Sequence, residues 1–123
     1  MALAGFAGSV GRLNPMLYVP DVAATLDWYT ELGFEEVARY EDCGVVNFGV
    51  VSLGEAEILI NTNGSRREHD ASLWLYTDHV DEIYAALKGR VEVVEEINDT
   101  FYGARQFGMR DLNGYVIWFL QQL

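Results

Sequence analysis

The sequence predicts an α+β fold in which a βαβββ module occurs twice and forms a half-open curved sheet around a cavity. Three observations support this prediction. A strand, a helix cap and an apolar helical stripe occur in each half, a glycine follows each stripe, and each half contains a tight hairpin. The 123 residues suit one domain. We expect an N-terminal segment at 1–13 and a domain at 14–123, with modules at about 14–62 and 72–121.

The first module begins with a strand over residues 17–20 that leads into a helix. Asp21 can accept a hydrogen bond from the first turn of that helix. Gly33 is placed to end the helix in a left-handed conformation, and Phe34 can fold back onto it. Trp28 lies at a packing position, so we expect it in the core or an interface. The apolar stripe of the helix has the expected spacing at Val22, Leu26 and Tyr29.

The second module repeats this pattern. Residues 73–77 read as a strand, Asp78 is placed to cap the following helix, and Gly89 is placed to end it. The apolar stripe of this second helix is Val80, Ile83, Tyr84 and Leu87.

Three further strands follow each helix. We predict them at 36–41, 45–53, 56–61, 91–97, 104–110 and 115–120. Residues 52–55 and 111–114 have the composition of tight hairpins. One face of each sheet packs on its helix, and pairing the modules would close a cavity between the other faces. The expected core residues on the strands are Leu17, Val19, Ile58, Ile60, Leu73, Leu75, Ile117 and Phe119.

The charge balance excludes several classes of partner. Acidic residues number 19 against 8 basic ones, for a net charge of −11. Binding to nucleic acid or to an anionic membrane requires clustered Lys and Arg, which this chain lacks. The acidity suits either a cationic ligand or plain solubility. Cys43 is the only cysteine, which indicates a reducing compartment, and we expect a cytoplasmic protein.

Four stretches carry a more specific signal: residues 15–22 (PMLYVPDV), 28–34 (WYTELGF), 102–107 (YGARQF) and 110–119 (RDLNGYVIWF). In this order on a repeated βαβββ unit, they resemble the vicinal oxygen chelate superfamily of glyoxalases, bleomycin-resistance proteins and dioxygenases. The chain is most similar to the metal-free, bleomycin-resistance-like members. It departs from the family at 111–114, where Asp-Leu-Asn-Gly replaces the usual Asp-Pro-Asp-Gly.

The resemblance also implies four metal-ligand positions, which are Asn14, Leu59, Ser72 and Trp118. Metal-dependent members usually have His, Gln or Glu there. Because Leu59 and Trp118 offer no lone pair, we expect no metal and no cofactor.

A slipped strand register leaves a second possibility for a metal site. It would bring Glu57 or Asp70 into the ligand positions of their strands. Arg12 or Met16 would then come from the first strand. The two histidines, His69 and His79, we interpret as exposed polar residues.

No other pattern predicts catalysis. Residues 8–11 lack the strand–turn–helix setting of a serine nucleophile. Cys43 follows two acidic residues, which disfavour a thiolate. The adjacent pair Glu95 and Glu96 reads as a solvated strand edge. We therefore expect no catalytic residue, and the chain is more consistent with a binding protein than with an enzyme.

Strand alternation places amphipathic rings on the faces opposite the helices. Such rings suit stacking of a planar or cationic ligand, although Trp74 and Trp118 could instead plug the cavity. Arg105 is either an anion anchor or a surface charge. The predicted ligand-binding residues are Asn14, Met16, Phe48, Leu59, Ser72, Trp74, Tyr76, Tyr102, Arg105 and Trp118.

The resemblance implies a metal-free small-molecule binding protein that sequesters an aromatic or cationic ligand, as bleomycin-resistance proteins do in antibiotic resistance. It also implies a homodimer. Two alternatives stay open. One is a metal-dependent glyoxalase-type lyase, isomerase or dioxygenase with relocated ligands, and the other is a non-catalytic scaffold whose cavity is plugged.

Overall fold

The computed structural model describes residues 4–9, 11–62 and 71–123. A short 3-10 helix at Ala4–Ser9 precedes the first strand. The first half then contains β1 (Met16–Val19), α1 (Val22–Glu31), β2 (Glu35–Asp42), β3 (Val45–Leu53) and β4 (Ala56–Thr62). The second half contains β5 (Ser72–Tyr76), α2 (Val80–Leu87), β6 (Glu92–Asp99), β7 (Ala104–Arg110) and β8 (Val116–Gln122). The order βαβββ therefore occurs twice, which confirms the predicted α+β fold.

Each half forms a four-stranded mixed sheet. Sheet A has the order β1-β4-β3-β2, and sheet B has the order β5-β8-β7-β6. The first strand of each half pairs in parallel with the last, and the other pairs are antiparallel. Helix α1 packs on sheet A and α2 packs on sheet B. Among the described residues, no helix has the length and apolarity needed to cross a membrane.

Helix α1 begins and ends as its local sequence predicts. The Asp21 carboxylate accepts a hydrogen bond from the backbone N–H of Ala24 at 3.0 Å. After the helix, Gly33 adopts a φ of 111°, which an L side chain disfavours. The chain then turns back so that the Phe34 ring meets the Tyr29 ring edge-on, with centroids 5.0 Å apart. The predicted cap, stop and hydrophobic contact are confirmed.

Helix α2 is capped differently from the prediction. It begins at Val80 with His79 in the N-cap position, so the predicted cap at Asp78 is wrong. The backbone N–H of Val80 instead donates to Oε1 of Gln121 at 3.1 Å. A side chain from β8 thus supplies the acceptor that a local residue would usually provide. The predicted left-handed stop at Gly89 is also wrong, because α2 ends through Lys88 in the right-handed conformation and Gly89 has no positive φ.

The core lies between each sheet and its helix, as expected. The predicted strand residues are buried there, except Leu75, which is half-buried. Tyr29 is fully buried and Trp28 is half-buried against it, so both serve packing as predicted.

The turn between β7 and β8 contacts the first half of the chain. The Asn113 side-chain amide donates to Oγ1 of Thr25 in α1 at 2.9 Å. The Tyr115 hydroxyl donates to the backbone carbonyl of Tyr18 in β1 at 3.0 Å. This turn therefore docks the second half onto the first.

Candidate functional site

Each sheet has an open face, by which we mean the face turned away from its helix. On sheet A the open face includes Met16, Tyr18, Phe48, Leu59 and Asn61. On sheet B it includes Ser72, Trp74, Tyr76, Gln106, Gly108, Trp118 and Leu120. Large rings on the sheet B face stay in contact with solvent, since Trp74 is 52% exposed and Tyr76 is 64% exposed.

One row of residues crosses the open face of sheet B from edge to edge. Trp74 on β5 pairs with Trp118 on β8, which pairs with Gly108 on β7. Gly108 in turn pairs with Glu95 on β6. We call these four residues the tryptophan row. It places two indole rings and one carboxylate on the same face of the sheet.

The glycine in this row makes room for an indole. A Cβ atom at position 108 would lie 2.6 Å from Cζ3 and 2.8 Å from Cε3 of Trp118. Real side chains do not tolerate such distances, so the Trp118 ring lies directly over the backbone of Gly108. The ring therefore extends across β7 toward Glu95.

A series of hydrogen-bonded side chains holds the Glu95 carboxylate in place. The Tyr102 hydroxyl donates to Oε1 of Gln106 at 2.5 Å. The Gln106 amide then donates to Oε2 of Glu95 at 2.8 Å. Asn98 donates to the same carboxylate oxygen at 3.1 Å. Gln106 is only 6% exposed.

The interpretation of Glu95 as a solvated edge residue is therefore wrong. Its carboxylate is half-buried on the open face and accepts two amide hydrogen bonds. The same interpretation is right for Glu96, which is exposed.

Cavities border β5 in the part of the chain that the structure describes. One of about 940 Å³ lies between the two halves and brings together Asn14, Ser72 and Trp74. A salt bridge of 2.9 Å between Arg12 and Glu57 forms part of its wall. A second cavity of about 700 Å³ lies between the ends of the two helices and contacts Trp74 and Tyr76. The third, about 480 Å³, is lined by Tyr76, Thr77, Asp78, Leu120 and Gln122.

The structure places the predicted site residues in separate groups. Met16, Phe48 and Leu59 share the open face of sheet A, where Met16 and Leu59 are paired. Tyr102 joins the sheet B face through its bond to Gln106. Four predicted site residues lie on the open face of sheet B because of their positions along β5 and β8. They are Ser72, Trp74, Tyr76 and Trp118.

Arg105 lies apart from these groups. It shares the helix-facing side of sheet B, where its guanidinium donates to Asp81 at 3.0 Å and to Asp99 at 2.9 Å. Hydrogen bonds to Asp99 and then Asp81 raise its pKa above the ordinary value for arginine. This geometry favours the surface-charge alternative over the anion anchor.

The residues at the metal-ligand positions that the family resemblance implies do not fit a divalent cation. Leu59 and Trp118 have no lone pair to offer. Glu57, the substitute that a slipped register would provide, is paired with Arg12 instead. In the part of the chain that the structure describes, no group of three His, Cys, Asp or Glu side chains could hold a metal ion.

The structure describes one of the two histidines, His79. His79 is exposed, as predicted, and its Nδ1 lies 3.2 Å from Oε1 of Glu82. His69 and Asp70 lie outside the described residues.

Several residues of the candidate site are absent from the sequence-based prediction. They are Glu95, Asn98, Gln106 and Gly108. Alternation along β7 is a usable signal for two of them, because it puts Gln106 and Gly108 on one face. No sequence feature near Glu95 predicts that its side chain lies on the open face.

Comparisons with known proteins agree with this fold. The crystal structure of TioX from Micromonospora sp. ML1 superposes with a TM-score of 0.77 at 20% identity, covering 93% of this chain and 100% of that one. TnmS3, an antibiotic binding protein from Streptomyces sp. CB03234, gives a TM-score of 0.71 at 25% identity, covering 94% and 98%. A bleomycin resistance determinant encoded on the transposon Tn5 gives 0.73 at 15% identity, covering 92% and 98%.

No curated protein sequence matches the chain. The family model described as Glyoxalase/Bleomycin resistance protein/Dioxygenase superfamily matches residues 11–119, which is nearly the whole chain. The chain belongs to the glyoxalase/bleomycin resistance protein/dioxygenase superfamily.

Proposed function

We propose that this protein binds a small aromatic or cationic molecule on the open face of sheet B and sequesters it without changing it chemically. The observation that carries the proposal is the exposure of Trp74 and Tyr76 beside Trp118 on one sheet face. Large apolar groups that are exposed side by side on one face are typical of ligand-binding grooves and interaction surfaces. Ring faces attract planar and cationic groups.

Two structural neighbours support this choice of ligand class. TnmS3 is described as an antibiotic binding protein, and the Tn5 protein as a bleomycin resistance determinant. By analogy, the ligand would be an antibiotic and the biological outcome would be antibiotic resistance. The exposed free thiol of Cys43 is consistent with a cytoplasmic location.

The proposal does not involve a metal. It rests on the donor set, because a leucine and a tryptophan occupy two of the four family ligand positions. The remaining two, Asn14 and Ser72, are weak ligands when neutral. A glyoxalase-type reaction needs a metal to polarise the substrate oxygens, so stoichiometric binding is the function that these residues support better.

We further propose that the protein acts as a homodimer. Both sheets present open faces in one chain, and Met16, Tyr18 and Tyr40 on sheet A are exposed together with the rings on sheet B. A second copy would cover the apolar groups of sheet A and leave the rings of sheet B to the ligand. Sedimentation velocity of the ligand-free protein tests this point, and a monomer at every protein concentration would contradict it.

The binding function is tested by a thermal-shift screen of purified protein with bleomycin-type cationic glycopeptides, aromatic metabolites and divalent metal ions. A ligand at 100 times its Kd stabilises the protein by about 2.7 kcal/mol, which such a screen detects. Each ligand that shifts the melting curve is then titrated by equilibrium dialysis. We expect one ligand per site and recovery of the ligand unchanged.

Matched variants locate the site. We expect Trp74→Ala and Trp118→Ala to abolish binding, whereas Trp28→Phe leaves it intact because Trp28 packs on α1 away from the open face. A stoichiometric divalent metal in protein purified without chelators, together with turnover of a bound compound, would support the enzyme alternative instead. Binding that survives both alanine substitutions would place the ligand elsewhere.

A further inference from the structure

We infer that Glu95 is the counter-ion for a planar cation stacked on Trp118, so that the open face of sheet B selects cations over neutral rings. This inference rests on the proposed binding function and goes beyond it by naming the charge of the ligand and the residue that recognises it.

The Glu95 carboxylate accepts hydrogen bonds from two side chains. Its Oε2 atom accepts hydrogen bonds from Gln106 at 2.8 Å and from Asn98 at 3.1 Å. Both donors are neutral amides. Within the described part of the chain, no Lys, Arg or His side chain forms an ion pair with Glu95. Among the residues that the structure describes, this half-buried negative charge therefore has no cationic side chain beside it.

Other carboxylates in the described part of the chain do have arginine partners. Arg12, Arg39, Arg105 and Arg110 each have a carboxylate partner within 3.2 Å. Arg110 even lies on the neighbouring strand to Glu95, yet it pairs with Glu92. A half-buried charge is costly unless it is paired, which indicates that a ligand supplies the missing cation.

Glu95 lies at one end of the tryptophan row, next to Gly108. Neighbouring strands in a sheet lie about 4.8 Å apart. Trp118 extends over Gly108, the residue paired with Glu95 on the next strand. A flat ligand stacked on the Trp118 indole therefore has its edge within reach of the carboxylate. The same ligand gains attraction from the electron-rich ring face if it is a cation.

Hydrogen bonds fix the orientation of the Glu95 carboxylate. Tyr102 donates to Gln106, and Gln106 donates to Glu95, so the amide is fixed with its NH₂ group toward the carboxylate. Both hydrogen bonds reach Oε2, so among the described residues Oε1 has no donor and is available to a ligand N–H. A charge-assisted hydrogen bond from a ligand is stronger than a neutral one.

Proflavine and acridine test this inference. They share one planar ring system, but proflavine is a cation at neutral pH and acridine is neutral. We expect equilibrium dialysis to show that the wild-type protein binds proflavine at least about tenfold more tightly than acridine. Glu95→Gln keeps an oxygen that accepts from Gln106 and removes the charge. It should weaken proflavine binding about tenfold and leave acridine binding unchanged.

Glu96→Gln is the matched control, because it removes the same charge from the adjacent, exposed position. It should keep the preference for proflavine. If wild-type protein binds both dyes equally, or if Glu96→Gln has the same effect as Glu95→Gln, the counter-ion role is overturned while the binding function stands. The wild-type comparison decides this even if Glu95→Gln fails to fold. If neither dye binds the wild type, the counter-ion role is overturned, and the thermal-shift screen decides separately whether the binding function stands.

Discussion

The Tyr29 hydroxyl donates a 2.8 Å hydrogen bond to Oδ2 of Asp111, a residue 82 positions further along the chain. Tyr29 lies on α1, and Asp111 opens the turn between β7 and β8. Both groups are buried, with Asp111 only 6% exposed. The other carboxylate oxygen accepts from the backbone N–H groups of Asn113 and Tyr115 at 2.9 Å each. One carboxylate therefore shapes the turn and joins the two halves of the domain.

Removing the Tyr29 hydroxyl should destabilise the whole domain. Tyr29→Phe keeps the ring that packs against Phe34 and takes one donor away from a buried carboxylate. We expect a loss of about 1 to 3 kcal/mol in the free energy of unfolding, the usual cost for a hydrogen bond to a buried charged group. Urea unfolding followed by circular dichroism measures it.

Tyr84→Phe is the control for that substitution. Tyr84 lies on α2 and packs edge-on against Phe107, and no hydrogen bond of its hydroxyl is found among the described residues. We expect its free energy of unfolding to change by less than about 0.5 kcal/mol. An equal loss in the two variants would show that the Tyr29–Asp111 hydrogen bond does not contribute to the free energy of unfolding.

The same pair should make stability sensitive to alkaline pH. Burial, followed by the charge of Asp111 and the hydrogen bond to it, raises the pKa of Tyr29 well above 10.0. Because the folded-state pKa exceeds the unfolded one, the stabilisation is complete below about pH 10 and is lost as the pH rises further. The urea midpoint of the wild type should fall above that pH. In Tyr29→Phe the fall should be shallower, and parallel curves would contradict this assignment.

Much of the fold follows from local sequence signals, and the failures are non-local. Asp21 caps α1 through the N–H of a residue three positions away, so the sequence pattern contains the whole interaction. The cap of α2 comes from Gln121, which is 41 residues from Val80. No window of sequence around Asp78 contains that acceptor. Local sequence therefore predicts a cap at Asp78, which the structure shows to be wrong.

The candidate site illustrates a second limit of sequence reasoning. The faces of β5 and β8 follow from strict alternation, so Trp74 and Trp118 could be placed together. Strand β6 has register shifts on both sides of Glu95, relative to β7. An irregular strand breaks the count of alternating faces. The sequence therefore could not show that Glu95 lies on the open face while the adjacent Glu96 is exposed at the strand edge.

The ring over Gly108 gives a prediction for both stability and binding. Gly108→Ala brings a Cβ within 2.6 Å of the Trp118 ring, which must move off the sheet. We expect a cost of about 1 to 3 kcal/mol in the free energy of unfolding. Proflavine binding should be lost as well, because the stacking surface is displaced. Thermal unfolding and equilibrium dialysis measure the two effects.

Gly49→Ala is the control that separates the loss of stability from the loss of proflavine binding. Its Cβ would lie 2.5 Å from Cδ1 of Leu26, on the helix-facing side of sheet A. This variant should lose comparable stability and still bind proflavine when folded. Gly89→Ala, where no atom lies within 4 Å of the new Cβ, should change neither property. Loss of binding in Gly49→Ala would mean that binding follows stability and not the Trp118 surface.

The cap on α2 gives the last prediction. Gln121→Ala removes the acceptor for the Val80 N–H, and Val80 is fully buried. Water cannot easily replace that acceptor, so we expect a loss of about 1 to 2 kcal/mol in the free energy of unfolding. Gln121→Glu keeps an oxygen at the same place and should retain most of the stability. The adjacent exposed residue gives the control Gln122→Ala, which should have little effect. If both alanine variants unfold at the wild-type urea midpoint, the distant cap does not stabilise α2, and His79 with the first turn suffices to begin the helix.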